Sequence, residues 1–168
     1  MSARTRSPGT RASGFSLVEL MIVLGVVAIL MLMAIPSYQE KATRDQIIEA
    51  LPLADIAKPP IAAAWAASQP LPASNAAAGL PSPDRIVNNY ISSVTVDQGA
   101  IHITFGNRAS AMISGKMLTL RPAVVLDAPI VPVTWVCGYA SEPPKMTAKG
   151  DNKTNIPPVF LPARCRAV

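Results

Sequence analysis

The sequence predicts an α+β protein. One long N-terminal α-helix packs on three or four antiparallel strands, and a disulfide-bounded loop closes the C-terminus. Three observations carry this. Phe15–Ile35 is a run of 21 residues in which only Ser16 and Glu19 are polar. Beyond it, Ile47, Leu51, Ala54, Ala57, Ile61 and Ala64 recur every three or four residues, the period of one helix face. Further on, Ile101, Ile103 and Phe105 alternate with His102 and Thr104, the period of a strand.

The first element is the apolar run. As a helix it would be about 31 Å long, enough to cross a bilayer's hydrocarbon core. A basic leader with Arg4, Arg6 and Arg11 precedes it and ends at Gly14. A secretory signal peptide would have a shorter apolar core and a small-x-small cleavage site, whereas here Leu32 and Met33 precede Ala34. A plain membrane anchor fits the length, and the arginines would keep the N-terminus cytoplasmic. That reading leaves Glu19 unexplained, since an acid at the centre of a membrane helix costs about 2.5–3.5 kcal/mol and intramembrane acids are usually functional.

The string SGFSLVELMIV accounts for all of these features together. A short basic leader ending in Gly14, then Phe15, then Glu19 four residues on, then an unbroken apolar run, resembles the type IV pilin signature. Pro36 and Tyr38 also stand where pilins place a proline and an aromatic after the apolar segment. The resemblance implies that a prepilin peptidase cuts between Gly14 and Phe15 and that Phe15 is then N-methylated. It further implies that Glu19 serves filament assembly, that Pro36 kinks the helix, and that the subunit waits in the bacterial inner membrane before joining an extracellular filament.

The expected segments follow in order. Residues 1–14 are the removed leader, 15–36 the transmembrane and filament-core helix, and 37–69 its amphipathic continuation. On the solvated side, Glu40 with Arg44 and Lys41 with Asp45 are i,i+4 pairs worth a few tenths of a kcal/mol each. Pro36, Pro52 and the Pro59–Pro60 pair should bend the helix, and a residue before proline, such as Lys58, is pushed out of helical geometry. Residues 70–90 form a connecting surface loop rich in proline, and 91–137 form the antiparallel head. In the head, VTVDQGAIHI reads as a hairpin turning at Asp97, Gln98 and Gly99. Strands at Leu118–Val125 and Val131–Cys137 complete the sheet, with Val131, Val133, Trp135 and Cys137 facing the helix and His102 facing solvent. Residues 138–168 are the C-terminal loop.

Cys137 and Cys165 are the two cysteines. In an exported chain such a pair reads as one disulfide; free or metal-bound thiols are the alternative. With His102 the single histidine and no clustered soft ligands, no metal site is expected. A bridge would close a loop of about 29 residues and stabilise the fold by roughly 3–4 kcal/mol.

The net charge of +5 points to a nucleic-acid or anionic-surface binder, but three of the 15 basic residues lie in the leader. Against 10 acidic residues the mature excess is two, and the remaining bases are scattered singly. Asp84, Asp97, Asp127 and Asp151 sit beside turn residues, where aspartate commonly serves the backbone. No paired nucleophile and base, phosphate loop or metalloprotease motif occurs, so neither catalysis nor a cofactor is expected.

The resemblance thus implies a structural subunit of a type IV pilus, polymerising through its N-terminal helix and serving adhesion and twitching motility. Its expected partners are identical subunits, a prepilin peptidase and N-methyltransferase, the inner-membrane assembly machinery and, before assembly, membrane lipid. A host surface or DNA would be met by the head. The alternatives are a minor pilin acting as a surface- or DNA-binding module, and a type II secretion pseudopilin.

Overall fold

A computed structural model describes residues 14–167, and at 35–37 the backbone alone. The chain divides into two units, 1–38 and 39–168. Helix α1 spans Leu17–Ala50, a 3₁₀ segment follows at Leu51–Ala57, and α2 spans Lys58–Ala66. Five strands come next: β1 Ile91–Asp97, β2 Ala100–Phe105, β3 Met117–Val124, β4 Thr134–Cys137 and β5 Thr147–Ala148.

In the first unit every described side chain of α1 up to Ala34 is exposed, including Leu17, Ile22, Leu30 and Met33. A continuous apolar helix of this length does not stay bare in water; lipid or other apolar helices must cover it. The backbone is assigned as helix through Pro36, while the side chain of that residue and the basic leader of residues 1–13 lie outside what is described.

In the second unit the helical stripe packs as its spacing predicts. Ile47, Leu51, Ala54, Ala57 and Ile61 are buried against Ile91, Val94, Val96, Ile101, Ile103, Phe105, Leu118 and Leu120 of the sheet. Ala64 is only half-buried. The helix expected through residue 69 is present in three pieces ending at Ala66, because Pro52 cannot donate to the helical ladder and the chain tightens into 3₁₀ geometry. Lys58 keeps helical angles, φ −67° and ψ −46°, against the expectation that proline would expel it. Pro59 and Pro60 lie in the first turn of α2, where a missing N–H has no helical partner to lose.

The sheet order is β1-β2-β3-β4, all antiparallel, and β5 pairs with the far end of β3. β1 and β2 join through Gln98 and Gly99, both at positive φ, which matches the right-handed strand twist. β4 is shorter than expected. Val131 N–H closes a turn onto the Ala128 carbonyl and Pro132 has no N–H to give, so pairing starts at Thr134. Trp135 and Cys137 nonetheless pack on the helical core side, and the Lys58 ammonium sits 5.7 Å from the Trp135 ring centroid.

The expected surface pairs on α1 take other partners. Arg44 donates through Nη2 to the Val159 carbonyl at 2.8 Å, and neither Glu40–Arg44 nor Lys41–Asp45 forms an ion pair among the described residues. A long guanidinium reaches a fixed carbonyl more readily than it immobilises a second mobile side chain. Asp55–Lys58, at 2.7 Å, is the pair the helical segment does form.

Candidate processing and assembly site

Gly14 and Phe15 lie outside regular secondary structure, just before α1. A Cβ on Gly14 would meet nothing within 4 Å among the described residues. Phe15 is 76% exposed. Two residues later the helix begins, and its first internal bond runs from Leu20 N–H to the Ser16 carbonyl at 3.1 Å.

Glu19 occupies the first turn of α1 and is exposed. The unpaired N–H groups at a helix N-terminus carry partial positive charge, so this is the end of the helix at which a carboxylate is favoured. Among the described residues Glu19 has no ion-pair partner. Cutting before Phe15 would create an amine four residues away, about 6 Å along the helix axis.

The head contributes the second set of sequence-marked residues. Cys137 and Cys165 are bonded, with Cα atoms 4.5 Å apart, and both are buried in the core. The bridge ties the end of β4 to the last 3₁₀ turn, and Tyr139 N–H to the Cys165 carbonyl reinforces it at 2.9 Å.

His102 does not face solvent as the strand alternation implied; only 3% of it is exposed. The alternation is right, since Ile101 and Ile103 point into the helical core and His102 points away from it. The outer face is covered, however, because the chain after β5 crosses it. Lys153 N–H donates to the Thr119 hydroxyl at 3.1 Å, and that hydroxyl lies 2.9 Å from His102 Nδ1. Asp97, read as a turn residue, accepts from Lys153 Nζ at 2.6 Å. That hydrogen bond holds the Asp97 carboxyl below the usual aspartate range and raises the Lys153 ammonium.

Asn75 carries a role that nothing in the sequence marked. The connecting loop is pinned rather than loose: Asn75 Nδ2 donates to the Pro81 and Val94 carbonyls at 3.0 and 2.9 Å, and its Oδ1 accepts from Val96 N–H at 2.6 Å. An asparagine inside SNAAAG looks like any other turn residue.

Similarity to known proteins bears on both units. A family described as Pilin (bacterial filament) matches residues 43–166, and a prokaryotic N-terminal methylation motif matches residues 9–35. A type IV major pilin protein PilE1 of Neisseria gonorrhoeae is 33% identical, over 94% of this chain and 88% of its own length. A fimbrial protein of Neisseria meningitidis serogroup B is 31% identical over 94% of this chain and 95% of its own. Fimbrial protein EcpC of Eikenella corrodens is 35% identical over 64% of this chain and 72% of its own. The methylation motif spans the Gly14–Phe15 junction and the filament family spans the disulfide-closed head, so this chain belongs to the pilin family.

Proposed function

We propose that this chain is the structural subunit of a type IV pilus. It is cut between Gly14 and Phe15, N-methylated at Phe15, and held in the bacterial inner membrane by its apolar helix. It is then packed into an extracellular filament that serves attachment and twitching motility. The observation that carries this reading is the apolar stretch Leu17–Ala34 of α1, exposed at every side chain, whose first turn holds Glu19 just after Gly14 and Phe15. The names of the relatives, type IV major pilin and fimbrial protein, point the same way.

The mechanism needs two environments for one helix. Lipid covers the run first, and the same surface then packs against identical helices as subunits leave the membrane. Extraction loses little hydrophobic stabilisation because one apolar cover replaces another.

Glu19 decides register. In lipid the new Phe15 amine lies near the acid within the same chain and offsets part of its cost. In a staggered bundle Glu19 meets the amine of a neighbour. Two unit charges at 4 Å attract by about 4 kcal/mol at an effective dielectric near 20, before desolvation is subtracted. A carboxylate left unpaired in the bundle is costly, so packing in the wrong register is penalised. The partners are other copies of the chain, the peptidase and N-methyltransferase, and the inner-membrane machinery that moves subunits. The small mature charge excess makes any DNA contact by the head weak and salt-sensitive.

The test is Glu19→Ala expressed as the sole subunit. It should be inserted and cut normally yet yield few filaments. Wild-type filament numbers from that variant would overturn the pairing role.

A further inference from the structure

The chain from Lys149 to Asn155 crosses the outer face of the sheet, from the β2 side of β3 to its β4 side. Lys149 N–H donates to the Pro122 carbonyl at 2.8 Å at the first edge. Asn155 N–H donates to the Met117 carbonyl at 3.1 Å at the other, while Met117 N–H and Thr119 N–H donate to Asn155 Oδ1 and Thr154 Oγ1. Gly150 fits tightly enough that a Cβ would come within 2.7 Å of the Ala100 Cβ. Beneath this crossing lies the single histidine of the chain.

The hydrogen bonds around His102 fit a neutral ring with its hydrogen on Nε2. The Thr119 hydroxyl accepts from Lys153 N–H, so its own hydrogen is free to donate to Nδ1 of the ring. The ring hydrogen then sits on Nε2, which is buried and has no hydrogen-bond partner among the described residues. Asp97 Oδ2 is 3.9 Å from Nε2, too far for a hydrogen bond, and is already taken by Lys153. A second proton would have to enter at Nδ1. That would turn the Thr119 hydroxyl away and place a cation under the crossing chain. The charged groups around the ring are Asp97 from β1, which favours the cation, and Lys153 and Asp151 from the crossing chain, which oppose and favour it respectively.

We propose that residues 149–155 form a proton-sensitive strap: while His102 is neutral the strap lies closed on the sheet, and protonation of His102 releases it. The strap carries its own fastening at Lys153–Asp97, so opening at this edge changes the surface that the head presents. Burial, and after it the Lys153 charge, lowers the ring's proton affinity in the closed state. The sign follows from that. Above about pH 6.5 the ring is neutral with the strap open or closed, and closure has its full strength. As pH falls below that value the open form gains a proton that the closed form refuses, so closure weakens until the lowered closed-state value is reached. Asp97 is held below its ordinary range and stays ionised across this window, so it does not supply the titration.

The experiment is hydrogen–deuterium exchange on the full mature chain in detergent, at about pH 7.5 and about pH 5.5, corrected for intrinsic exchange. The strap amides, together with Met117 and Thr119, should open up to about tenfold more at the lower pH, while the β1–β2 amides keep their protection. His102→Gln, which retains a donor and an acceptor toward Thr119, should remove the difference. Should that variant fail to fold, proton NMR of the single imidazole in the wild-type chain decides: it should titrate below about pH 6.5. Strap exchange independent of pH, an unchanged pH slope in His102→Gln, or a ring titrating at or above 6.5 would each overturn the proposal.

Discussion

Replacing Asn75 with alanine should destabilise the head far more than its place in a polar loop suggests. Its amide satisfies the outward-facing carbonyl of Val94 and N–H of Val96 on β1, the edge strand of the sheet, and also holds Pro81. Asn75 is 4% exposed, and truncation leaves these backbone groups under a covering loop without partners. An unsatisfied buried donor or acceptor costs about 1–3 kcal/mol, so two together should cost about 2–6 kcal/mol, the lower end applying where water enters the vacated space. Asn75→Asp is a sharper probe. It keeps an acceptor for Val96 N–H but points a carboxylate oxygen at two carbonyls. Its loss should match or exceed that of alanine at neutral pH and should shrink as acid protonates the new carboxyl, because a protonated carboxyl can donate again. The assay is urea unfolding of the mature chain in detergent, followed by the fluorescence of Trp65 and Trp135. An alanine variant within about 0.5 kcal/mol of wild type would refute the claim that this side chain anchors the loop.

Gly14→Val should leave the precursor uncut, since a branched side chain beside the scissile bond does not fit a peptidase pocket shaped for glycine; anti-pilin blots showing normal mature chain would contradict this. Cys165→Ser should cost roughly 3–4 kcal/mol and expose the C-terminal segment to protease without blocking membrane insertion, which limited proteolysis and membrane fractionation read separately. Gly138→Ala should cost about 1–3 kcal/mol in urea unfolding. Gly138 has φ +56°, and a Cβ there would lie 2.8 Å from the Cys165 carbonyl oxygen.

What the sequence made legible was local. The helical stripe from Ile47 to Ile61, the alternation of β2, and the turn at Gln98–Gly99 each depend on neighbours within a few residues, and each folded as its spacing implies. The cysteine pairing was legible because only one pairing exists among two cysteines in one chain. Cover was not legible. His102 lies on the strand face that the alternation assigned, and it is buried because a segment some fifty residues later crosses over it, which no local period encodes. Asn75 is hidden for the same reason, since its partners Val94 and Val96 come from a strand about twenty residues away. The prolines divided by position: Pro52 changed the helix type, while Pro59 and Pro60 fell in a first turn that tolerates them. The Gly14–Phe15–Glu19 constellation stands out because a carboxylate in an apolar run has few physical excuses, and the methylation-motif match over residues 9–35 covers it.

The central claim is that the Gly14–Phe15 junction and Glu19 turn a membrane-held precursor into a filament subunit. Intact-mass and peptide mass spectrometry of sheared surface filaments tests it most directly. The account predicts that this chain dominates the filaments, starts at an N-methylated Phe15, and carries Cys137 and Cys165 as one bridge. Filaments that lack the chain, a surface form that retains residues 1–14, or cleavage near Ala34 would contradict it.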